Sequence, residues 1–485
     1  VNAMSLRMSP RLMLPEGAEL EFITDVEGNW EYFGDLISRS NILSWSTDGS
    51  ECLTLIENGF LVFGGDAQDK GPGDIRVLRT LVLLKQNYPD RVFLLAGNRD
   101  VNKLRFVAEL AEGEMPDQDP IPYIDNHGWE GKKQQFGDYL SDRGLERTRL
   151  NSLKWLLEKT FGAATALETR RMELDLLGYP SHDDAVLQSF VDLVDPESSK
   201  PWGLWYLRAA QIMLVIEDCL FVHGAVLKDN LLLLPAEECR DGLEELQPPA
   251  LRLPDSTPLD VWAFELNSWK ERQLRLFEAF PRFRRSLGLR KERWRGGTPL
   301  MMPSLAGCRV MTDGYMKNGN CMPLDDGVAL YLSRNGIGRI FTGHVPHGQS
   351  PGVIRSLACN VVVIAADTSY SDCSADKSRN IANNRGRAIS TISVRRSCTT
   401  VVGCLADGTL HGYTLHTDWS VDCPLTSLLG RRFVDGSWGK TLIDGRLQTC
   451  RGEGFKLHLS LVDADAAVEQ LDSRFAMTPK RRRIA

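Results

Sequence analysis

Six short apolar runs punctuate the chain, and each stops abruptly at a polar residue. Leu20-Glu21-Phe22-Ile23-Thr24 runs into Asp25, and Phe60-Leu61-Val62-Phe63-Gly64-Gly65 into Asp66. Val92-Phe93-Leu94-Leu95-Ala96-Gly97 runs into Asn98, and Leu220-Phe221-Val222 into His223. Ile340-Phe341-Thr342-Gly343 leads to His344, and Val361-Val362-Val363-Ile364-Ala365-Ala366 to Asp367. Runs this short and this rich in Val, Ile and Phe predict strands buried on both faces. Segments of helical length, such as Asp74 to Gln86, separate the first three, which predicts strand–helix–strand units. In open α/β sheets, ligand-binding groups gather beyond the carboxyl ends of the strands. All six polar residues sit there, so one fold can bring them together.

Each of them has an ordinary explanation when taken alone. An Asp or Asn after a strand is usually a turn former or a helix N-cap. A lone buried His is more often hydrogen-bonded structure than a ligand. The weight lies in the coincidence of Asp, Asp, Asn, His and His at successive strand ends, most of them beside glycine. Glycine lets the backbone turn sharply and approach a bound ion or phosphate.

Composition narrows the possibilities. A chain of 485 residues has room for about three domains, or for one large domain with insertions. With 42% hydrophobic and 25% charged residues it is not a wholly disordered chain. No uninterrupted apolar run reaches the roughly 20 residues of a membrane-spanning helix. Val1 to Pro15 is mixed, carries Arg7 and Arg11, and lacks the apolar stretch of a secretory signal. A net charge of −7 argues against a general nucleic-acid coat protein, although a local nucleic-acid site is not excluded. Eleven scattered cysteines without a C-x-x-C pair fit reduced thiols in the cytoplasm better than a disulfide framework.

The ordered motifs resemble those of the calcineurin-like metallophosphoesterases, especially protein Ser/Thr phosphatases and symmetrical diadenosine-tetraphosphate hydrolases. Asp25-Val26-Glu27-Gly28-Asn29 is similar to the first family block, normally Asp-x-His-Gly. Gly65-Asp66-Ala67-Gln68-Asp69-Lys70-Gly71-Pro72 is similar to the second, Gly-Asp-x-x-Asp-Arg-Gly. Gly97-Asn98-Arg99-Asp100 resembles the third, Val222-His223-Gly224 the fourth, and Gly343-His344-Val345-Pro346-His347-Gly348 the fifth. The resemblance implies a four-layer α-β-β-α sandwich of two facing mixed sheets with helical insertions. It spans about residues 18–415, with insertions at about 101–210 and 227–335. A small extension (416–463) and a basic tail (464–485) would follow.

The same resemblance implies two divalent metal ions at the rim of the sheets. Asp25, Glu27 and Asp66 would hold the first. Asp66, Asn98, His223 and His344 would hold the second, with Asp66 as the bridge. A carboxylate can bridge two cations, and amide oxygen and neutral imidazole suit borderline divalent ions. Two such ions can activate water and stabilise both oxygens of an in-line displacement at phosphorus. The implied substrate is a phosphate monoester or a nucleotide phosphoanhydride. A protein Ser/Thr phosphatase and a catalytically degenerate binding or scaffold protein of the same fold are the alternatives.

Departures from the family pattern shape the expectation further. Glu27 stands where His is usual, which favours Mn, Mg or Fe over a nitrogen-rich zinc site. Arg99 stands where the family has the His that protonates the leaving group. Asp69 is expected to orient Arg99 through an ion pair. Arg stays protonated, so it binds phosphate well and donates protons poorly. That tilts the reading toward anhydrides, whose leaving groups need less protonation. Lys70, Arg99 and Asn98 would contact phosphate, with Lys70 acting as a point charge or else as a solvated turn residue. His347 could replace the nitrogen donor lost at Glu27, or Pro346 could turn it away. Asp367 is expected to be a structural strand-end residue.

Gln135 to Leu177 reads as helical, with Trp155, Leu156 and Phe161 packing a cap core. Arg282 to Arg295 reads as a basic helix with Phe283, Leu287 and Trp294 on one stripe. It is either a surface helix or a cationic lid over a phosphate-rich substrate. Ala388 to Leu415 reads as strands with a turn at Asp407-Gly408 that close the second sheet. The Pro479–Arg483 tail is either a nuclear address or a solvated terminus.

Overall fold

The computed structural model describes residues 11–47, 51–112, 134–237, 251–285, 293–368, 387–453 and 456–472. The first three apolar runs form β1 (Glu19–Ile23), β2 (Gly59–Phe63) and β3 (Val92–Leu95), and a short β4 (Ala210–Gln211) follows. A second group comprises β5 (Met213–Ile216), β6 (Cys219–Val222), β7 (Arg339–Thr342), β8 (Gly352–Arg355) and β9 (Val362–Ala365). Three longer strands close the series: β10 (Ile389–Arg395), β11 (Cys398–Cys404) and β12 (Leu410–His416).

Two sheets result, with orders β12-β11-β10-β1-β2-β3-β4 and β8-β9-β7-β6-β5. In the first, β1, β2, β3 and β4 run parallel, with Ile23 opposite Phe63 and Phe63 opposite Leu94. In the second, β7 is parallel to both β6 and β9. All six apolar runs therefore end at the carboxyl edge of a parallel strand.

The lack of alternation within these runs follows from burial on both faces. Phe22, Phe60 and Val62 point into the space between the sheets, where they meet Phe221, Phe341 and Ile364. The rings of Phe22, Phe221 and Phe341 pack with centroids 4.9–5.8 Å apart. Their neighbours Ile23, Leu61 and Phe63 point outward to a layer built with helices Trp30–Arg39 and Asp74–Asn87. Leu220, Val222, Ile340 and Val363 do the same on the second sheet, beneath helices Leu259–Ala279 and Asp326–Arg334. The order helix, sheet, sheet, helix is the expected four-layer sandwich.

Two expectations are corrected. Strands β10–β12 extend the first sheet rather than closing the second: β10 pairs antiparallel with β1, Leu20 opposite Val394. This edge of β1 would otherwise leave buried backbone groups unpaired, and β10 also delivers Ile392 and Val394 to the inter-sheet core. The turn at Asp407-Gly408 is the expected hairpin, with Gly408 at φ 87°. The basic segment is not a helix where it is described. Arg284–Arg285 and Arg293–Trp294 pair as an antiparallel ribbon, and Phe280 packs on Trp294 at 5.1 Å. Arg282 pairs with Asp195 (2.8 Å), and buried Arg295 with Glu109 (2.8 Å). Those charges are held by acids of the cap, whereas Arg290 and Lys291 lie outside the described residues.

The first insertion forms helices that include Phe136–Arg143, Arg149–Trp155, Ala166–Leu176 and Asp183–Asp192. Trp155, Leu156 and Phe161 pack with Phe106, Phe136 and Phe190 in a core of the cap's own. The stretch after β12 adds a three-stranded antiparallel sheet (Trp438–Ile443, Arg446–Glu453, Lys456–Val462). Its Leu447, with Leu428, Leu429 and Phe433, joins the inter-sheet core. The tail Pro479–Arg483 lies outside the described residues. Among the described residues, no helix is long and apolar enough to cross a membrane.

Candidate metal centre

Strands β1, β2 and β3 end side by side, and the loops leaving them are laced together. The N–H of Asp25 donates to Gly65 O (3.1 Å), that of Glu27 to Asp66 O (2.8 Å) and that of Gly28 to Ala67 O (2.9 Å). The Asp100 carboxylate accepts from the N–H groups of Asp66 (2.9 Å), Ala67 (3.0 Å) and Gly97 (2.9 Å). Close approach dictates glycine here. A Cβ on Gly97 would lie 2.1 Å from Asp66 Oδ1, and one on Gly343 2.0 Å from Asp25 Oδ2. The turns also force non-glycine residues into the left-handed region: φ is 54° at Asp25, 47° at Glu27, 53° at Asp66 and 70° at His344. Such conformations cost on the order of 1–3 kcal/mol each and cluster at functional sites.

The fold brings Asp66, Asn98, His223 and His344 together. His223 Nδ1 is 2.8 Å from Gly64 O, while Nε2 is 3.1 Å from Asn98 Oδ1 and 3.3 Å from Asp66 Oδ1. A carbonyl only accepts, so Nδ1 carries the proton and Nε2 faces two oxygens. An imidazole so placed needs a second proton or a cation between itself and those oxygens. In the absence of an ion, burial opposes the charge, but Asp66 and Asp25 prevail and raise His223 to about 10. Burial likewise works against the Asp66 carboxylate, yet His223 holds it down at about 2. His344 Nε2 is 2.9 Å from Thr312 O, so it donates there and leaves Nδ1 as its lone pair. Burial, then the neighbouring His223, lower His344 to about 4. Each imidazole thus gives one N–H to a backbone carbonyl, the outer contact that orients metal-ligating histidines. Among the described residues, Asp66, His223 and His344 are the one group of three His, Cys, Asp or Glu whose ligand atoms lie within 4.8 Å of one another. This donor set fits a divalent ion.

The set expected for a first ion does not fit in the same way. Glu27 Oε2 accepts from Lys70 Nζ at 2.9 Å, and the two side chains are only 8% and 5% exposed. The Asp25 carboxylate accepts from the N–H of His344 (3.0 and 3.1 Å) and from Thr24 Oγ1 (2.5 Å). An ion on Glu27 would meet an ammonium already seated there. The structure thus sets Lys70 against Glu27, whereas Asp66 lies with the two imidazoles. His347 has a buried ring with Nδ1 3.4 Å from Cys321 Sγ and 3.4 Å from Lys440 Nζ, and it is not in the group of three ligand residues. Asp367 is buried beyond β9 and is likewise no member of it.

The Asp69–Arg99 pair forms, with Arg99 Nη1 3.5 Å from Asp69 Oδ2. Arg99 also donates its backbone N–H to Asp66 Oδ1 (2.9 Å) and its guanidinium to Phe161 O of the cap. Sequence reasoning missed Lys103, whose buried ammonium is a second partner of Asp69. The available signal was its place four residues after Arg99, one helical turn on. Burial opposes the Asp69 charge, but Arg99, Lys103 and Lys70 together hold its pKa below the usual carboxylate range.

No protein-family model matches this chain, and no curated protein does. Solved structures do. A cold-active protein-tyrosine phosphatase of the psychrophile Shewanella sp. is 15% identical over 84% of this chain and 82% of its own, with a TM-score of 0.38. Another structure of a cold-active protein tyrosine phosphatase is 14% identical over 84% and 81%, at 0.40. A protein serine/threonine phosphatase from Saccharomyces cerevisiae is 11% identical over 81% and 76%, at 0.33. The chemistry of the centre is therefore read from its own side chains.

Proposed function

We propose that the protein is a metal-dependent phosphoesterase acting on a phosphate monoester or a nucleotide phosphoanhydride. The observation that carries this reading is the convergence of Asp66, Asn98, His223 and His344, each brought from the end of a different strand. One carboxylate, one amide and two imidazoles suit a borderline divalent ion such as Mn, Fe or Zn. When bound, such an ion polarises a phosphoryl oxygen and favours attack by water. Around it, the chain's own groups position the substrate. Arg99, pinned by Asp69 and the Phe161 carbonyl, presents a cation for phosphate oxygens beside the cluster. Asp69 and Lys103 fix its orientation.

Among the described residues, the ion-pair partners of Asp69 are Arg99, Lys103 and Lys70, with no histidine in the place of a general acid, and Arg99 is a poor proton donor. Good leaving groups are therefore preferred, which favours nucleotide anhydrides and activated esters over phosphoserine. The test is metal content after purification, followed by hydrolysis of p-nitrophenyl phosphate and diadenosine tetraphosphate with added Mn. Bound metal with turnover is the expected result. Phosphate binding without turnover would instead support a scaffold role, and the absence of both would sink the reading.

A further inference from the structure

We propose that the centre takes a single divalent ion, and that the Lys70 ammonium, clamped on Glu27, is a built-in replacement for a second cation. The inference rests on the metal reading above and extends it to the half of the centre where the donor set does not fit an ion.

Three observations carry it. The first is distance and burial. Lys70 Nζ is 2.9 Å from Glu27 Oε2 and 3.8 Å from Asp69 Oδ2, with side-chain exposures of 5%, 8% and 0%. At such separations, in a site closed to water, the ammonium balances the Glu27 carboxylate that a divalent ion would otherwise have to neutralise, while Asp69 is also paired with Arg99 and Lys103.

The second is how firmly the pair is held. Lys70 and Gly71 both donate their backbone N–H to Glu27 O, at 3.2 and 2.9 Å. The strands of chain touch so closely that a Cβ on Gly71 would lie 2.3 Å from the Gly28 carbonyl carbon. From the other side, Thr169 Oγ1 of the cap helix Ala166–Leu176 donates to Lys70 O at 2.8 Å. Lys70 is thus fixed by its main chain on two sides and reaches Glu27 with its tip. It is no surface lysine that happens to fold inward.

The third is chemical. A buried ion pair is seldom worth more to stability than an apolar pair of the same volume, because both charges lose their hydration. This pair lies two residues from Asp25 on one loop and four from Asp66 on the other. At that place it supplies a compact positive charge beside a centre that binds an anionic substrate. Lysine suits the task because it is a point charge on a flexible stem, whereas a guanidinium fork would demand bidentate geometry.

The experiment titrates the full-length chain with Mn(II), removes loosely bound ion, and measures metal per chain by elemental analysis alongside the electron paramagnetic resonance spectrum. The wild-type chain is expected to bind one equivalent and give the six-line signal of an isolated ion. Lys70→Met releases Glu27 and is expected to take up a second equivalent, with the broadened signal of a coupled pair. Glu27→Gln with Lys70→Met is expected to return to one. Two equivalents on the wild-type chain overturn the inference while leaving the metal reading intact. No metal on the wild-type chain overturns both. The wild-type measurement stands even if Lys70→Met fails to fold, and a folded Lys70→Met that still binds one equivalent also overturns it.

Discussion

The two halves of the centre meet their buried carboxylates with different partners. On one side, Asp66, Asn98, His223 and His344 bring oxygen and nitrogen donors together in a set that fits a cation. On the other, the ammonium of Lys70, tethered to the chain, is seated on Glu27. Both halves sit on left-handed backbone, at Asp66 and His344 in one and at Asp25 and Glu27 in the other. The strain that a metal site demands is therefore present on both sides, although the donor set fits an ion on one side alone. What separates them is partner chemistry. The imidazoles give their spare N–H to the carbonyls of Gly64 and Thr312 and keep a lone pair for the ion. The Glu27 carboxylate has no such division of labour, and a neighbouring ammonium satisfies it directly.

The sharpest break of this comparison is at Asp66, the acid nearest the imidazoles. Asp66→Asn is expected to abolish metal binding, a larger effect than the roughly 10–100-fold typical of losing an outer partner. Elemental analysis and Mn-dependent turnover should fall together. Retained stoichiometric metal in the variant would mean that Asn98 and the two imidazoles suffice, and the assignment of Asp66 would fail.

Next in size is the test of the leaving group. Arg99→His places a proton donor beside Asp69 and should raise the turnover of an alkyl phosphate relative to diadenosine tetraphosphate. General acid help is typically worth about 10²–10⁴ in rate, so a shift of at least about tenfold in that ratio is expected. A wild-type protein that already prefers the alkyl ester would contradict the role given to Arg99.

Much of this comparison was legible in the sequence, and the illegible part has several causes. Asp25, Asp66, Asn98, His223 and His344 could be read because each ends a run of buried apolar residues, and strand ends gather by topology. The inter-sheet core could be read from the same runs. The Glu27–Lys70 clamp could not: two oppositely charged residues 43 positions apart carry no period, and only the lacing of two loops makes them neighbours. Lys103 was missed differently: it follows Arg99 by one helical turn, but it is one basic residue among several there. Strands β10–β12 were recognisable as strands, but alternation does not say which of two sheets a strand joins. The ribbon around Arg284 and Trp294 reads as a helix because Phe283, Leu287 and Trp294 suggest one apolar stripe, whereas Trp294 packs on Phe280. His347 was drawn toward the metal by its spacing from His344, whereas Lys440, 93 residues later, is what holds it.

A smaller effect probes the scaffold common to both halves. The Asp100 carboxylate accepts three N–H groups from the loops that carry Asp66 and Asn98. Asp100→Ala leaves those buried donors unpaired, at about 1–3 kcal/mol each. A fall in thermal midpoint of several degrees is expected, together with weakened metal binding, because Asp66 and Gly97 lose their common anchor. Lost stability with unchanged metal affinity would show that the loops hold without it.

The smallest effect contrasts a histidine of the centre with one remote from it. His411 bonds Ser390 Oγ (3.2 Å) and Thr441 Oγ1 (3.0 Å), and burial, then Lys440, lower its pKa to about 4. Above the ordinary histidine pKa of about 6.5, folded and unfolded chains both carry it neutral. Between that value and about 4, only the unfolded chain takes up the proton, so stability falls as the pH is lowered through this window. His411→Gln removes the titrating group and should flatten the dependence, by an amount on the order of 1–3 kcal/mol at the acid end. The comparison is thermal midpoints at pH 7 and pH 4.5 in saturating Mn and in chelator. Chelator removes the pH dependence of metal binding; His344, lowered to about 4 without an ion, keeps its own acid slope, so the His411 contribution is the difference between wild type and His411→Gln. An unchanged acid slope in chelator would mean that His411 is protonated in the folded chain, which its two hydroxyl partners and the nearby Lys440 ammonium argue against.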